Sequence, residues 1–230
     1  MIKAMITEIF CSIQGEGLYL GQKQIFVRFA HCNLDCDYCD EPKVKDKDGF
    51  SEQSVDEVME KIKLIQKKEN PEAVSLTGGE PLLQAAFIEK LLPRIQKTGL
   101  QIHLETNATL FKEFEKIFET MDVVAADIKL PSATGKFLWL EHEKFLRLAP
   151  KKTFVKIILT SNSEINEIQK AFNIINKVFP KMPVFLQPVT ETGKIKKPGK
   201  DFFDSIEKIS LNMKINYKIL PQQHPIWGIK

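Results

Sequence analysis

Short apolar runs recur along this chain, and from residue 73 onward they start at intervals of about 20 to 35 residues. Each run has the length of a buried strand and is bounded by polar or turn-forming residues. The runs are rich in Val, Ile and Phe, which favour strands. The sequence therefore predicts strands at residues 25–29, 73–76, 101–105, 123–126, 154–159, 184–186 and 217–220.

Between these runs, apolar residues recur at helical spacing. Ser54 and Glu57 form a capping-box pattern, and apolar residues follow at helical spacing through Ile65. Pro81 suits the first turn of a second helix. Two more helices are predicted over residues 165–175 and 201–213.

The alternation of strands with helices predicts a parallel sheet with right-handed crossovers. About six strand–helix units are too few for a closed eight-fold barrel, so the predicted fold class is α/β, an open partial (β/α) barrel. No linker divides the chain, and we predict one domain over residues 1–230. Within it, residues 10–17 form an N-terminal turn and residues 31–41 form a cysteine-rich loop.

Unusual polar motifs follow the predicted strands. In parallel α/β folds, chemistry gathers at the carboxyl ends of strands. We therefore expect these motifs to converge on one site. They are the cysteine loop, Thr77-Gly-Gly-Glu80, Glu105-Thr-Asn107, Asp127-Ile-Lys129 and Gln187-Pro188.

Composition narrows the class of protein further. The 33 Lys and Arg residues nearly balance the 30 Asp and Glu residues, so the net charge of +3 does not demand nucleic acid as a partner. No apolar run approaches the roughly 20 residues that a membrane span needs. Three of the four cysteines are bunched, which suits a reducing, cytoplasmic location better than a secreted one.

The cysteines at C-x3-C-x2-C spacing carry the strongest chemical signal. Cys32, Cys36 and Cys39 place three soft thiolates within eight residues, which suits a [4Fe–4S] cluster. Three ligands leave one iron open to a small molecule, and Cys11 lies well upstream. The alternatives are a zinc knot that lacks a ligand, disulfides, or buried apolar cysteines.

The N-terminal turn contains Gln14, Gly15, Glu16 and Gly17. The glycines permit a tight loop, Gln14 offers donors and an acceptor, and Glu16 offers two acceptor oxygens. Such a pair suits the amide-like edge of a pterin or a guanine. The alternative is a surface turn with polar side chains.

The cysteine spacing resembles that of the radical S-adenosylmethionine (SAM) superfamily, and Gly78-Gly-Glu-Pro81 resembles that superfamily's GGE motif. The run Ser12-Ile-Gln-Gly-Glu-Gly17 resembles the signature of the 7-carboxy-7-deazaguanine synthase (QueE) family. That resemblance extends from residue 10 to the end of the chain.

The resemblance implies a lyase of deazapurine and queuosine biosynthesis. It implies conversion of 6-carboxy-5,6,7,8-tetrahydropterin to 7-carboxy-7-deazaguanine with loss of ammonia. A [4Fe–4S] cluster, SAM and Mg2+ are the implied cofactors, and the radical is generated on SAM, so no catalytic side chain is assigned. Flavodoxin or ferredoxin is the implied electron donor, and the family suggests a homodimer.

The resemblance also assigns residues. The cluster ligands are Cys32, Cys36 and Cys39. Contacts with SAM are expected from Tyr38, Asp40, Gly79, Asp127, Ile128, Lys129, Gln187, Pro188, Val189 and Thr190. Contacts with the substrate are expected from Ile13, Gln14, Gly15, Glu16, Arg28, Thr77 and Lys230.

Two positions depart from the family. Glu41 replaces the Thr or Ser whose hydroxyl helps to hold Mg2+; its carboxylate is also a hard oxygen ligand. We expect Glu41 to lie beside the substrate carboxylate, where Mg2+ bridges the two; the alternative is a pair with Lys43 or Lys45. Asp127 replaces a Ser, which changes the local charge.

Two rival functions remain at this stage. Another radical SAM enzyme, such as a glycyl-radical activase, would also use the cysteine loop but leaves the Gln14–Glu16 turn unexplained. A non-catalytic Fe–S or zinc module would require four protein ligands.

Overall fold

A single mixed sheet organises the fold. The structure, a computed structural model, describes residues 2–41 and 49–229. In those residues nine strands occur in the spatial order β3-β1-β2-β4-β5-β6-β7-β8-β9. Their bounds are β1 Lys3–Ile13, β2 Lys23–Phe29, β3 Ser51–Ser54, β4 Ala73–Gly78, β5 Gln101–Thr106, β6 Val123–Asp127, β7 Thr153–Leu159, β8 Val184–Pro188 and β9 Tyr217–Ile219.

From β2 to β9 every neighbouring pair in the sheet is parallel, whereas β1 runs antiparallel to both β2 and β3. The sheet is not closed, because β3 and β9 are its two edges. The predicted open partial (β/α) barrel is confirmed. The short strand β3 was not predicted, because its sequence Ser-Glu-Gln-Ser has no apolar run.

Most of the helices connect one strand of the parallel part of the sheet with the next, and the last helix follows the last strand, β9. Their bounds are α1 Val55–Glu69, α2 Ala85–Gln96, α3 Phe111–Phe114, α4 Pro131–Thr134, α5 Trp139–Leu148, α6 Ile165–Val178, α7 Lys200–Met213 and α8 His224–Trp227.

The capping box predicted at the start of α1 is confirmed. The Glu57 N–H donates to the Ser54 hydroxyl at 3.3 Å, and the Ser54 N–H donates to Glu57 Oε2 at 2.7 Å. Pro81 opens a short 3-10 turn that leads into α2. Helix α5 was not predicted; it buries His142, Phe145 and Leu146 on one face.

Two apolar clusters lie on opposite faces of the sheet. The larger one packs the sheet against the helices and includes Phe29, Phe87 and Phe172. The smaller one comprises Val123, Ala125, Phe154 and Phe185, with Tyr19 packed against it.

Successive side chains of a strand point to opposite faces. Phe154 therefore shares the inner face of the sheet with Lys156, and Phe185 shares it with Gln187. The small cluster forms an apolar floor on this face, and polar residues follow it toward the carboxyl ends of the strands. Gly17 has a φ of 64°, and a Cβ there would lie 2.4 Å from the Phe154 ring, so the N-terminal turn packs closely on this floor.

None of the helices in residues 2–41 and 49–229 combines the length and apolar character needed to cross a membrane.

Candidate active site

A cavity of about 670 Å³ opens where the parallel strands end. Its wall includes most of the residues singled out from the sequence, drawn from the N-terminal turn, the cysteine loop and the ends of β2, β4, β6 and β8. They are Ile13, Gln14, Gly15, Glu16, Arg28, Cys32, Cys36, Tyr38, Cys39, Asp40, Glu41, Thr77, Gly79, Asp127, Lys129, Gln187, Val189 and Thr190.

Three cysteine side chains that form no disulfide with a described residue line one side of this cavity. Cys32 and Cys36 are half-buried and Cys39 is exposed. The Leu34 N–H approaches Cys32 Sγ at 3.5 Å, and backbone donors of this kind tune cluster sulfurs. Cys11 is also free but lies in β1, opposite Ile25, outside the described cavity wall. The donor set therefore fits a [4Fe–4S] cluster with three protein ligands and one open iron.

The glycines after β4 allow the backbone to approach the cysteine loop. A Cβ at Gly79 would lie 2.1 Å from the His31 carbonyl oxygen, and one at Gly78, whose φ is 133°, would lie 2.1 Å from the Phe29 carbonyl oxygen. The Glu80 N–H donates to that same His31 oxygen at 2.8 Å. The two glycines thus allow β4 to approach the backbone of the segment between β2 and the cysteine loop.

Unlike Gly78 and Gly79, Glu80 does not line the cavity. Its side chain is fully buried and lies outside the described cavity wall. The carboxylate accepts hydrogen bonds from the Thr106 hydroxyl at 2.8 Å, the Asn107 N–H at 2.8 Å and the Leu82 N–H at 3.0 Å. Burial raises the pKa of Glu80 to about 7, against the lowering effect of these bonds. Glu80 therefore anchors the end of β5.

The end of β5 in turn supports the cysteine loop. The Asn107 amide donates to Asn33 Oδ1 at 2.8 Å and approaches Cys32 Sγ at 3.9 Å. Asn33 donates to the Thr109 hydroxyl at 3.0 Å. A chain of hydrogen bonds thus connects Glu80 with the first cluster cysteine.

A half-buried ion pair lies at the end of β6. Lys129 Nζ donates to Asp127 Oδ2 at 2.8 Å and to the Tyr38 hydroxyl at 3.3 Å. Burial opposes its charge, but Asp127 and the other partners raise the pKa of Lys129 well above its usual value. Asp127 Oδ1 is buried and has no hydrogen-bond partner among the described residues, so it is an acceptor available to a ligand.

His142 on α5 holds the backbone of this segment. Burial lowers the pKa of His142 to about 4, so the ring is neutral. Its Nδ1 lies 3.2 Å from the Ala108 carbonyl oxygen, and its Nε2 accepts from the Lys129 N–H at 3.2 Å. These partners assign the proton to Nδ1. Because no helix was predicted at α5, the sequence did not predict that His142 supports this backbone.

The N-terminal turn presents two polar side chains to the cavity. Gln14 Nε2 donates to Glu105 Oε1 at 2.7 Å, and Gln14 Oε1 accepts from the Glu16 N–H at 3.0 Å. The Thr77 hydroxyl donates to the other Glu105 oxygen at 2.8 Å. Gln14 is therefore fixed by its neighbours and is not a mobile surface side chain.

Glu16 accepts hydrogen bonds from three sides. Lys156 Nζ lies 2.5 Å from Oε2, while Gln187 and Gln222 donate to Oε1 at 3.1 and 2.8 Å. Burial opposes the charge on Glu16, but Lys156 and the hydrogen bonds outweigh it and hold the pKa of Glu16 at about 2. The carboxylate is therefore ionised throughout the neutral range.

Arg28 is held between two carboxylates. Its Nε donates to Glu8 Oε1 at 2.8 Å, and its Nη1 lies 3.4 Å from Glu41 Oε2. The guanidinium also lies over the Phe10 ring, 5.6 Å from its centre. Glu41 thus has a partner that neither expected arrangement included, because Arg28 is close enough to offset its charge. Lys43 and Lys45 lie outside the described residues.

Glu16, Asp40 and His224 also bring ligand atoms within 4.8 Å of one another. Gln222 Nε2 bridges Glu16 and Asp40, with 2.8 Å to each, and Lys156 holds the other Glu16 oxygen. Protein donors therefore already bind these oxygens, and we assign no metal to the group.

Three sequence-predicted residues fall outside the described cavity wall. The Ile128 side chain is buried in the large core, because it alternates with Asp127 along the chain. Pro188 ends β8 without lining the cavity, and Lys230 lies outside the described residues.

The cavity wall also includes residues to which the sequence assigned no contact, among them Glu105, Lys156, Gln222 and His224. Glu105 belongs to a motif noted above, and Lys156 is the one charged residue of the apolar strand β7. Gln222 and His224 had no local signal; the Gln223 N–H donates to the Gly15 carbonyl oxygen at 3.0 Å and brings their segment to the turn.

Comparison with known proteins agrees with this arrangement. A family model described as the radical SAM superfamily matches residues 26–172. With its strand-end cavity and its three-cysteine loop, the chain belongs to the radical SAM superfamily, whose members use a [4Fe–4S] cluster and SAM.

Full-length relatives define the family more closely. The chain is 32% identical to the 7-carboxy-7-deazaguanine synthase of Geobacter sulfurreducens, over 98% of this chain and 97% of the relative. It is 34% identical to the enzyme of the same name from Archaeoglobus fulgidus, over the full length of both. Within the superfamily, the chain belongs to the 7-carboxy-7-deazaguanine synthase family.

Solved structures show the same fold. QueE from Escherichia coli superposes with a TM-score of 0.64 at 18% identity, covering 94% of this chain and 93% of that chain. SuiB from Streptococcus suis, solved with S-adenosylmethionine bound, superposes with a TM-score of 0.59 at 15% identity, covering 86% of this chain and 51% of that chain.

Proposed function

We propose that this protein is a radical SAM lyase that converts 6-carboxy-5,6,7,8-tetrahydropterin to 7-carboxy-7-deazaguanine with loss of ammonia. The observation that carries this proposal is the presence of Glu16 in the same cavity as Cys32, Cys36 and Cys39. Glu16 is a half-buried, ionised acceptor, as the donor-rich edge of a pterin requires. Full-length relatives of that name support the same reaction.

One end of the cavity suits the cofactors. The three cysteines would hold the cluster, which with bound SAM supplies the radical that removes a hydrogen atom from the substrate. The free oxygen of Asp127 and the backbone at Gly79 offer acceptors for donor groups of SAM. Further contacts with SAM are proposed for Tyr38, Asp40, Ile128, Lys129, Gln187, Pro188, Val189 and Thr190.

The other end suits the substrate. Arg28 retains N–H groups beyond those that face Glu8 and Glu41, and an arginine fork matches a carboxylate. Gln14 and Glu16 suit the amide-like edge, and Ile13, Gly15 and Thr77 complete this part of the wall. A contact between Lys230 and the substrate is proposed from the family resemblance alone.

Anaerobic turnover tests the reaction. The reconstituted enzyme is incubated with SAM, a reductant and the carboxytetrahydropterin, and the product is identified by mass. The proposal expects the mass of 7-carboxy-7-deazaguanine, and Cys36→Ala serves as the inactive control. Cleavage of SAM without consumption of the pterin would contradict the proposal and favour another radical SAM activity. A cluster whose spectrum ignores SAM would indicate a non-catalytic module.

We also propose that Mg2+ binds beside Glu41. Arg28 faces Glu8 as well as Glu41, so its single charge does not offset both carboxylates and a third one from the substrate. A divalent ion that bridges Glu41 and the substrate carboxylate would offset their repulsion. Titration of Mg2+ into metal-stripped enzyme should raise turnover several-fold, and the rise should disappear in Glu41→Ala. Turnover that is indifferent to Mg2+ and to chelator would contradict the bridge and leave Glu41 as a partner of Arg28.

A flavodoxin or ferredoxin is the proposed electron donor. An open depression of about 400 Å³ is lined by Cys32 and Lys136, among others, so Cys32 contributes both to it and to the main cavity. Lys136 would favour an acidic donor. Lys136→Glu should slow turnover driven by flavodoxin but not turnover driven by dithionite. Equal effects on both would argue against docking at this depression.

A homodimer and a cytoplasmic location complete the proposal. Ile219, Ile226 and Trp227 are exposed apolar residues near the end of the chain and would suit a subunit contact. Light scattering should give twice the chain mass, and a monomer would contradict the dimer. The described cysteines form no disulfide, which suits a reducing compartment, and cell fractionation checks the location directly.

A further inference from the structure

Lys156 is a buried cation that the proposed contacts leave without a role. It lies in β7 and is 8% exposed, yet it lines the cavity. Its register neighbour in β6 is Asp127, and its neighbour in β8 is Phe185, so it projects from the inner face just above the apolar floor. A lysine is rarely this buried unless it is paired.

The pair with Glu16 does not exhaust the donors of Lys156. An ammonium group has three N–H donors. Among the described residues, Glu16 is the one hydrogen-bond partner of Lys156 Nζ, at 2.5 Å. Lys156 thus brings unused donors to the cavity, directly beside the carboxylate that holds its charge.

Glu16 and Lys156 form an acceptor and a donor side by side. Both are ionised near neutral pH: the pKa of Glu16 is about 2, and the Glu16 carboxylate raises the pKa of Lys156 despite its burial. A lactam presents the complementary pattern, an N–H next to a carbonyl oxygen. A 4-amino pteridine, in contrast, has an amino donor and a bare ring nitrogen at the same positions.

We propose that Lys156 is a specificity-determining residue, which donates to the lactam carbonyl oxygen of the pterin while Glu16 accepts from the adjacent N–H. This inference rests on the proposed pterin function. It predicts that the cavity selects 4-oxo over 4-amino pteridines, because a 4-amino group would point a donor at the Lys156 ammonium.

Equilibrium binding to the reconstituted, SAM-bound enzyme tests the inference without turnover. The probes are 6-carboxypterin, followed by its own fluorescence, and 2,4-diamino-6-carboxypteridine. The wild type should prefer the 4-oxo probe. In Lys156→Met that preference should fall by about ten-fold or more, the value of one hydrogen bond to a charged group. Lys170→Met, an exposed lysine on α6, is the matched control and should keep the wild-type preference.

Two further variants guard against a merely structural effect. Lys156→Arg keeps the charge but moves the donors, and should bind SAM as the wild type does while its preference falls. Glu16→Gln combined with Lys156→Met removes both charges of the ion pair together and should show no more preference than Lys156→Met alone.

The possible failures are distinguishable. If the wild type prefers 6-carboxypterin and Lys156→Met shows the same preference ratio, the role of Lys156 is overturned, whereas the proposed pterin function is not. If Lys156→Met fails to fold, an unchanged ratio in the charge-neutral double variant would overturn the role of Lys156 equally. A wild type that binds neither probe would overturn the proposed pterin function together with this inference.

Discussion

Replacement of Glu80 by Gln tests the link between the Gly-Gly-Glu-Pro motif and the cluster loop. Both Glu80 oxygens accept hydrogen bonds, from Thr106 and Leu82 on one and from Thr106 and Asn107 on the other. A carboxyl group accepts at both oxygens, whereas the amide of Gln has one acceptor and one donor. In either orientation, Gln therefore sets an NH2 group against a buried backbone N–H.

The magnitude follows from that single mismatch. At pH 5, where Glu80 is neutral, one hydrogen bond is worth about 0.5–1.5 kcal/mol, and a buried unsatisfied donor costs about 1–3 kcal/mol. Because the two terms overlap, Glu80→Gln should lower the free energy of unfolding at this pH by about 1–3 kcal/mol. The end of β5 would loosen, and with it the Asn107 amide that reaches Asn33 and Cys32.

Urea unfolding of the apoprotein, followed by circular dichroism, measures the first effect, and iron content after reconstitution measures the second. Glu89→Gln, on the exposed face of α2, is the matched control and should change neither. If Glu80→Gln loses no more unfolding free energy and no more iron than this control, the anchoring role of Glu80 is refuted. Normal stability combined with lost SAM binding would show instead that Glu80 acts on the ligand.

Three further predictions concern the same site. Ala in place of any one of the three cluster cysteines should abolish iron-based absorbance and SAM cleavage, whereas Cys11→Ala should keep both; an equal loss from Cys11→Ala would mean a fourth protein ligand. Arg28→Met should weaken binding of 6-carboxypterin by about ten- to a hundred-fold, with SAM binding and the exposed control Arg147→Met unchanged; unchanged affinity in Arg28→Met would contradict a role of Arg28 in holding the substrate carboxylate. Burial raises the pKa of Glu80 from 4.5 to about 7, so the folded state binds the proton more tightly than the unfolded state does. The free energy of unfolding of the wild type should therefore fall by about 3 kcal/mol as the pH rises from 4.5 to 7. Urea midpoints across pH check this, and the same slope in Glu80→Gln would contradict it.

The sequence predicted the strand-and-helix order because apolar periodicity reports burial. The capping box at Ser54 and the run at residues 154–159 are local signals, and the structure bears out both. The motifs at strand ends meet in one cavity because parallel strands end at the same edge of a sheet.

The pairings within the cavity were beyond the reach of local patterns. Lys156 and Glu16 are 140 residues apart in the chain, and Gln222 and Glu16 are 206 apart. Such contacts depend on how distant segments fold together, and no period in the sequence records them. Arg28 meeting Glu41 is a similar case, because the cysteine loop folds back over the end of β2.

The central claim is that one cavity holds the cluster, SAM and the pterin together. Electron paramagnetic resonance of the reduced cluster tests it most directly, by adding SAM first and then the carboxytetrahydropterin. The account predicts that each addition changes the spectrum, and that Glu16→Gln keeps the change caused by SAM but loses the one caused by the pterin at matched concentration. A spectrum that responds to SAM and is unaltered by saturating pterin in the wild type would contradict the claim.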